Sequence, residues 1–213
     1  MDLIEAIRTT NACRHYTTDA VADDVLLRVL DAARWAPTGS NKQPVTYVVV
    51  RDPDKRRALH DLYQPVWQII MQKYAAGTMN TGFKPGFLET VDHFARHLFE
   101  VPVMIVVCVA VDQLTAIDAN LGRLSVTGGS SIYPAVQNLL LAARGEGLGT
   151  TLTTLLCAVE PQVQAVLGIP ADIATAAMIT LGWPAKPFPR RLVRKALAAV
   201  AFLDAYGAPL PGA

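Results

Sequence analysis

The sequence of 213 residues predicts an α+β fold in which a small central sheet is sandwiched by helices. Two observations lead to this fold class. Stretches with apolar residues at helical spacing outnumber the β-branched runs that are typical of strands. The candidate strands are also few and strongly apolar, as expected of strands at the centre of a domain. The length suits a single domain spanning residues 1–213.

The clearest helix is predicted over residues 22–36 from apolar side chains at helical spacing. These are Val25, Leu26, Val29, Leu30 and Ala33. We expect Asp23 or Asp24 to cap its start and Pro37 to end it. Weaker patterns predict five further helices, at residues 2–9, 54–62, 89–99, 131–144 and 161–167.

Four runs are predicted to be strands. They lie at residues 45–50, 102–111, 150–155 and 175–181. The first is β-branched and ends at a turn of Arg51, Asp52 and Pro53. The second is continuously apolar, so we expect it to be buried on both faces. It is too short to cross a bilayer.

Two segments are neither a single predicted helix nor a single predicted strand. Residues 63–90 mix aromatic residues with glycines, which predicts a helix to about Tyr74 and then a mobile loop. We interpret the segment as an excursion over the active site. Residues 184–213 are proline-rich and form a C-terminal extension, with a last helix or an extended arm at residues 192–203.

Composition argues against several classes of protein. The chain is 52% hydrophobic and 17% charged, so we expect part of its apolar surface to be buried against another subunit. Its net charge of +1 predicts neither a nucleic acid nor a membrane surface as partner. Cys13, Cys108 and Cys157 are too few and too widely spaced for a disulfide framework or a zinc site. With no signal-peptide pattern at the N-terminus, a reducing, cytoplasmic location is expected.

The motifs of several enzyme classes are absent from the sequence: GxGxxG after a strand, GxxxxGK[ST], GxSxG and HExxH. His93 and His97 are one helical turn apart and could place two imidazoles on a metal. We favour a solvated helix face, since no third ligand is identifiable. The sequence therefore offers few side chains arranged for acid–base catalysis. Hydride chemistry needs less from side chains, because a cofactor carries the reaction.

Four segments carry polar groups suited to binding and orienting a cofactor: residues 10–21, 32–45, 128–156 and 180–194. In the second, a helix meets Pro37 and a polar turn follows with Ser40, Asn41 and Gln43. Amide side chains offer both donors and acceptors, and so can pair with a heterocycle edge such as the pyrimidine edge of flavin. An ordinary turn is the alternative interpretation of these residues.

The third and fourth segments add a buried helix and a basic tail. A Gly/Ser-rich entry leads into the apolar helix, which is followed by a glycine-rich turn and a Thr-rich strand. In the tail, Arg190, Arg191 and Arg194 could hold a phosphate by bidentate hydrogen bonds, or could form a solvated basic turn.

In the same order and at similar spacing, these segments resemble the nitroreductase family of FMN-dependent oxidoreductases over residues 6–200. The family patterns are an Arg-Arg-Ser-x-Arg-x-Phe start, a Pro-Ser-x-x-Asn-x-Gln-Pro-Trp turn, an apolar helix ending in Gly-Leu-Gly, and a Gly-Tyr-Pro tail. Their counterparts here are TNACRHY, PTGSNKQPV, the helix ending in GLG, and GWP. The resemblance implies a three-layer α-β-α sandwich with a mostly antiparallel sheet. It also implies a homodimer with FMN at the subunit interface and a C-terminal arm that wraps the partner.

Carried over onto this sequence, the resemblance implies twelve cofactor-binding positions. Arg14 should approach the N1–O2 edge of the flavin, where a fixed positive charge stabilises the negative charge of the reduced ring. A surface ion pair is the alternative role for this arginine. Thr10, Asn11 and Ala12 belong to the first motif. Ser40, Asn41 and Gln43 should lie along the ring or the ribityl chain, partly from the other subunit. Thr153, Thr154 and Leu155 should lie near N5, and Arg191 and Arg194 at the phosphate.

Several positions depart from the family pattern. The family's first phosphate-binding arginine falls at Thr10, its serine at Ala12 and a further basic position at Leu192. Val45 stands where the family has Trp. We therefore expect fewer groups to hold the phosphate, and a deazaflavin in place of FMN is an alternative cofactor.

The aromatic residues of the 63–90 excursion are candidates for contact with substrate, with core packing as the alternative. They are Tyr63, Trp67, Phe83 and Phe87. The predicted function is transfer of hydride from NAD(P)H through FMN to nitroaromatic, quinone or similar small acceptors, in a ping-pong cycle. One alternative is a specialised family member that uses deazaflavin, or acts on flavin or a halogenated compound. Another is a non-catalytic protein that binds or sequesters flavin.

Overall fold

The computed structural model describes residues 1–79 and 86–213. Within those ranges the chain forms six α-helices and four strands. In chain order they are α1 (Leu3–Thr9), α2 (Asp23–Arg34), β1 (Val45–Val50), α3 (Pro53–Ala75), α4 (Phe87–Arg96), β2 (Val103–Ala110), α5 (Tyr133–Gly145), β3 (Gly149–Thr153), α6 (Glu160–Leu167) and β4 (Ile173–Gly182). The strands form one antiparallel sheet in the order β1-β2-β4-β3. The α+β prediction is confirmed.

Strand β2 lies between two apolar layers, as its uninterrupted run of buried residues requires. Ile105 and Val107 belong to a core that includes residues of α2 and α5. Met104 and Val106 belong to a second core, with residues of α3, α4 and α6. Successive side chains of a strand point to opposite faces, so β2 contributes to both cores. The result is the expected three-layer sandwich.

The start of α2 differs from the prediction. Ala22 occupies the N-cap position and no side chain caps the helix, so the expectation that Asp23 or Asp24 would do so is wrong. Asp23 forms an ion pair with Arg51 instead. Acidic residues in the first turn still favour the helix, because they lie near the positive end of its dipole. The helix ends before Pro37, as expected.

Helix α3 is longer than either segment predicted from the sequence, since it runs through Pro65 without interruption. Tyr63 and Trp67 lie inside it and are each only 2% exposed. Residues 80–85 lie outside the described residues, and with them Phe83 and most of the expected loop. The remaining helix and strand boundaries fall within three residues of those predicted.

The C-terminal extension is an arm with a single 3-10 turn at Leu197–Ala199, so of the two predicted forms the extended one is observed. The backbone N–H of Leu192 donates a hydrogen bond to the carbonyl of Arg8 at 3.0 Å, which ties the arm to α1. Beyond this point large apolar side chains are exposed, including Val193 at 93%. In the described ranges, no helix is long and apolar enough to cross a membrane.

A buried carboxylate organises the loop between β2 and α5. Asp118 accepts hydrogen bonds from the Ser125 hydroxyl at 2.6 Å and the Val126 backbone N–H at 2.8 Å, and it pairs with Arg123 at 2.7 Å. Hydrogen bonds from Ser125 and Thr127 hold the pKa of Asp118 well below its usual range. A lowered pKa stabilises the fold above the unfolded-state pKa, and this contribution is lost only as the pH falls through the folded-state value. This contribution is therefore complete at neutral pH and begins to decline at about pH 4, where an ordinary aspartate is half protonated, while Asp118 itself stays ionised at lower pH.

We expect Asp118→Asn to loosen this loop without unfolding the core, because the neutral amide accepts fewer hydrogen bonds than the carboxylate. Trypsin should cleave after Arg123 about tenfold faster in the variant, as expected for a segment that opens locally. Asp112→Asn, at an exposed position before the same loop, is the matched control. Equal cleavage rates in the two variants would show that Asp118 does not hold the loop.

Candidate functional site

A cleft of about 530 Å³ lies where the segment after α1 meets β3, α5 and the C-terminal arm. Six of the sequence-predicted site residues line it together: Thr10, Asn11, Ala12, Arg14, Phe87 and Arg194. Sequence reasoning missed several other lining residues, among them Gln137, Leu140, Thr150 and Leu152. Leu152 and Thr150 are two residues apart on β3, and this alternation is the signal that could have identified them.

Pairing with β3 places the segment that carries Arg14. Ala12 forms a parallel bridge with Thr150, and the Cys13 N–H donates to the Thr150 carbonyl at 2.8 Å. The Thr151 hydroxyl donates in turn to the Cys13 carbonyl. The backbone just before Arg14 is therefore fixed by the edge of the sheet, which limits where its side chain can reach.

Arg14 presents a positive charge that no carboxylate neutralises in the part of the chain that the structure describes. Its guanidinium lies 4.7 Å from the centre of the Phe87 ring and donates to the Ala12 carbonyl at 3.3 Å. Among residues 1–79 and 86–213 it forms no ion pair, so the alternative role in a surface ion pair is not observed. Burial lowers the pKa of Arg14, and the nearby Tyr16 and Tyr63 partly oppose this. A half-buried, unneutralised guanidinium in a cleft favours an anionic ligand.

The residues predicted near the flavin N5 face different ways. The Thr153 side chain is buried, and its hydroxyl lies 3.4 Å from the Tyr63 hydroxyl. Thr154 is exposed, and Leu155 begins a 3-10 turn. Thr154 lies just beyond the end of β3, and neither Thr153 nor Thr154 is among the described residues that line the cleft.

The two aromatic residues of α3 occupy the core, where the alternative interpretation placed them. Tyr63 packs under the sheet, and the Trp67 indole N–H donates to Asp92 at 2.9 Å. Neither side chain offers an exposed face for stacking with a substrate, since packing covers both. Phe87 is the one described member of the predicted substrate-binding set that lines the cleft.

The polar turn after α2 is exposed and lies apart from the residues that line the cleft. Ser40, Asn41 and Gln43 have φ angles of 52°, 54° and 52°, in the left-handed region that non-glycine residues rarely adopt. The Gly39 N–H donates to the Ser131 hydroxyl at 3.0 Å, and the Gln43 N–H donates to the Thr38 hydroxyl at 3.1 Å. Strained backbone held in place by its surroundings is a feature of ligand-binding loops.

The cations predicted for a phosphate lie on the arm. Arg194 lines the cleft and also a neighbouring cavity of about 750 Å³, which Arg191 and Arg8 line as well. The Thr10 hydroxyl donates back to the Ala6 carbonyl at 2.7 Å, as is common for threonine in a helix. Thr10 stands where the family has an arginine, and Arg8, two residues earlier, supplies a cation to this cavity. Arg8 lies outside the four polar segments, so no motif identified it.

The histidine pair noted in the sequence belongs to a row of three imidazoles. The His93 ring is 4.1 Å from that of His97 and 4.8 Å from that of His15, centre to centre. Burial lowers the pKa of His15 and of His93. No group of three or more His, Cys, Asp or Glu side chains in the described part of the chain is arranged to hold a metal ion.

Comparison with known proteins places this geometry in a family. A 5,6-dimethylbenzimidazole synthase from Rhodospirillum rubrum is 30% identical over 183 residues, which covers 83% of this chain and 79% of that protein. An NADH dehydrogenase from Thermus thermophilus is 28% identical over 196 residues and covers 87% of this chain and 88% of that protein.

A likeness of fold extends to solved structures. Oxidized iodotyrosine deiodinase bound to FMN and 3-iodo-L-tyrosine aligns with a TM-score of 0.71 at 17% identity, over 95% of this chain and 100% of that one. The sequence model of the nitroreductase family matches residues 7–183, most of the chain. The chain therefore belongs to the nitroreductase family.

Proposed function

We propose that the chain is an FMN-dependent oxidoreductase that passes hydride from NAD(P)H to a small acceptor such as a nitroaromatic or a quinone, in a ping-pong cycle. The observation that carries the proposal is the unneutralised Arg14 in a cleft lined by the family's cofactor segments. Membership of an oxidoreductase family, FMN in a deiodinase of the same fold and an NADH dehydrogenase among the relatives support it.

The cleft suits FMN in both shape and charge. Leu140, Leu152 and Phe87 provide apolar surface for a planar ring. Asn11 offers an amide to a polar ring edge, and Arg194 lies on the arm side, where a phosphate needs a cation. These residues would hold the flavin ring between β3 and α5 and the phosphate toward the arm.

When bound, FMN supplies the hydride transfer itself. Arg14 provides a fixed positive charge whose backbone is clamped by β3, so little reorganisation is needed when negative charge develops beside it. Leu152 and Phe87 are exposed in the cleft, and a bound planar ring would cover them and displace water, which would strengthen the electrostatic effect of the arginine. Arg194, with Arg191 from the neighbouring cavity, would neutralise the phosphate.

The site is proposed to be completed by a second copy of the chain, in a cytoplasmic homodimer. Exposed apolar side chains on α1, such as Leu3 and Ile4, and on the arm, such as Val193, support a large apolar interface. In the dimer the arm would wrap the partner, and the strained turn at Ser40, Asn41 and Gln43 would reach the partner's flavin. Three free cysteines are compatible with a reducing compartment.

A specialised reaction is the second candidate, because the relative with 30% identity is a 5,6-dimethylbenzimidazole synthase rather than a nitroreductase. Such a member would act on flavin or a halogenated compound, or would use a deazaflavin. The loss of the family's basic residues at Thr10 and Leu192 supports this candidate. It also supports the second alternative, a protein that binds or sequesters flavin without catalysis.

The absorption spectrum of the purified protein tests these candidates. We expect flavin bands, either as purified or after addition of FMN, that bleach under anaerobic NADPH or NADH and return with a quinone or nitroaromatic acceptor. Bands that do not bleach with either nucleotide would favour the binding protein. Failure to take up FMN, with uptake of a deazaflavin, would favour the specialised member and overturn the FMN assignment.

A further inference from the structure

We infer that the chain has a second ligand site, for a small organic anion with a planar apolar body, in a pocket of about 520 Å³ beside the start of α3. The pocket shares no lining residue with the Arg14 cleft. Among the described residues, three arginines line it, Arg51, Arg56 and Arg57, and one acidic residue, Glu100. This inference does not depend on the proposed function.

Arg56 shapes the pocket and is not free to bind a ligand. One of its terminal nitrogens donates to the carbonyls of Phe99 and Val101, both at 2.7 Å, and its Nε donates to the Arg51 carbonyl at 3.3 Å. Burial lowers the pKa of this side chain. These bonds join the start of α3 to the turn before β2, and so make a fixed rear wall for the pocket.

Arg51 is only partly satisfied. It pairs with Asp23 and donates to the Val21 carbonyl at 2.7 Å. Its Nε is buried, and across residues 1–79 and 86–213 it has no hydrogen-bond partner. A buried donor without an acceptor is costly, and a native structure that keeps one calls for an explanation. This Nε is covered from solvent, so Arg51 contributes positive charge at the wall of the pocket rather than a direct contact for a ligand.

Arg57 brings an uncommitted guanidinium to the pocket, as far as the described residues go. Its guanidinium stacks on the Phe99 ring at 3.3 Å from the ring centre, which orients the group. In the described ranges Arg57 forms no hydrogen bond or ion pair, so its N–H donors remain available in a planar array suited to a carboxylate or phosphate. A guanidinium held flat against an aromatic ring, in a pocket that two further arginines line, is an arrangement suited to binding one anionic group.

The rest of the lining determines what the anion is attached to. Pro53, Pro102, Val103, Ala20 and Val21 give the pocket an apolar surface. A simple inorganic anion would leave that surface in water, whereas a ring carrying the anionic group would cover it. The ligand class is therefore an aromatic or heteroaromatic phosphate or carboxylate.

Calorimetric titration with phenyl phosphate tests the site, using the full-length protein saturated with FMN if FMN binds. We expect saturable binding to the wild type and an affinity about tenfold lower for Arg57→Gln, because one charge-assisted pair is lost. Lys55→Gln, on an exposed neighbour in α3 that does not line the pocket, is the matched control and should bind as the wild type does. Arg57 is exposed, so its replacement should not disturb folding.

Four outcomes would overturn the inference. Two concern the site itself: phenyl phosphate does not bind to the wild type, or it binds to Arg57→Gln with equal affinity. The third is loss of binding in Arg14→Gln, because this would place phenyl phosphate in the cleft. The fourth is binding of inorganic phosphate as tightly as phenyl phosphate. Retained binding in Arg14→Gln, with weaker binding of inorganic phosphate, would support both the location and the planar body of the ligand. Failure of the chain to bind FMN would leave these comparisons intact.

Discussion

Replacing Arg14 with glutamine should weaken FMN binding about tenfold and lower the midpoint potential of the bound flavin by about 30–60 mV. The reason is electrostatic. Arg14 is half-buried beside Phe87, without an ion pair in the described ranges, so its charge acts on whatever occupies the cleft. A neutral amide of similar reach can still donate a hydrogen bond but cannot stabilise added negative charge. The oxidised cofactor should therefore lose less affinity than the reduced one.

Fluorescence titration with FMN and anaerobic potentiometry measure the two quantities separately. Arg14→Lys should fall between the wild type and Arg14→Gln, because it keeps the charge but not the planar guanidinium. Arg34→Gln is the control, since Arg34 is exposed and paired with Asp31 on α2. An unchanged potential in Arg14→Gln, together with weaker binding, would mean that Arg14 holds the cofactor without tuning it.

The fold could be predicted from the sequence where local signals were unambiguous. Strand β1 was predicted over the residues it occupies, because a β-branched run is bounded by Pro44 and by a turn containing Pro53. Two adjoining helical segments were predicted, at residues 54–62 and from residue 63 to about Tyr74, whereas the structure has a single helix that accommodates Pro65. Tyr63 and Trp67 follow Leu59 at four-residue spacing, and that period already indicated one buried helix face.

The site was predictable only in part, for a physical reason. Arg14 and Arg194 were found because their motifs occur in the order typical of the family, and the structure brings both to one cleft. Gln137 and Leu140 carry no such motif, and the face of α5 that meets the cleft is decided by packing against the sheet. Arg51 and Arg57 looked like ordinary surface charges until the fold placed them around one pocket.

The second large effect concerns Gly149, the first residue of β3. A Cβ atom at this position would lie 2.6 Å from the Sγ of Cys13 and 2.7 Å from its Cβ. Both distances are well inside van der Waals contact, and Cys13 is buried, so it cannot swing into solvent. Gly149→Ala should therefore destabilise the protein by about 1–3 kcal/mol, the usual cost of overpacking. In a chain of this size that corresponds to a fall in Tm of roughly 2–12 °C.

The same substitution should also change the geometry of the cleft, because the segment that it displaces carries Arg14. Cys13 is bonded through its backbone to Thr150 and Thr151, and Arg14 is its neighbour in the chain. We expect FMN affinity to fall together with Tm in Gly149→Ala. Gly145→Ala is the matched control, since no atom lies within 4 Å of its added Cβ and alanine favours the end of α5. Its Tm should be unchanged or higher.

A double-mutant cycle separates this clash from a general weakening of β3. Cys13→Gly removes both atoms that the new methyl group would meet, so it should restore part of the stability lost in Gly149→Ala. Cys13→Ala leaves its own Cβ in place, 2.7 Å from the new atom, and should restore much less. Equal rescue by the two replacements would contradict the close contact. Recovery of FMN affinity in the Cys13→Gly double variant would show that the packing of Gly149 against Cys13 determines where Arg14 lies in the cleft.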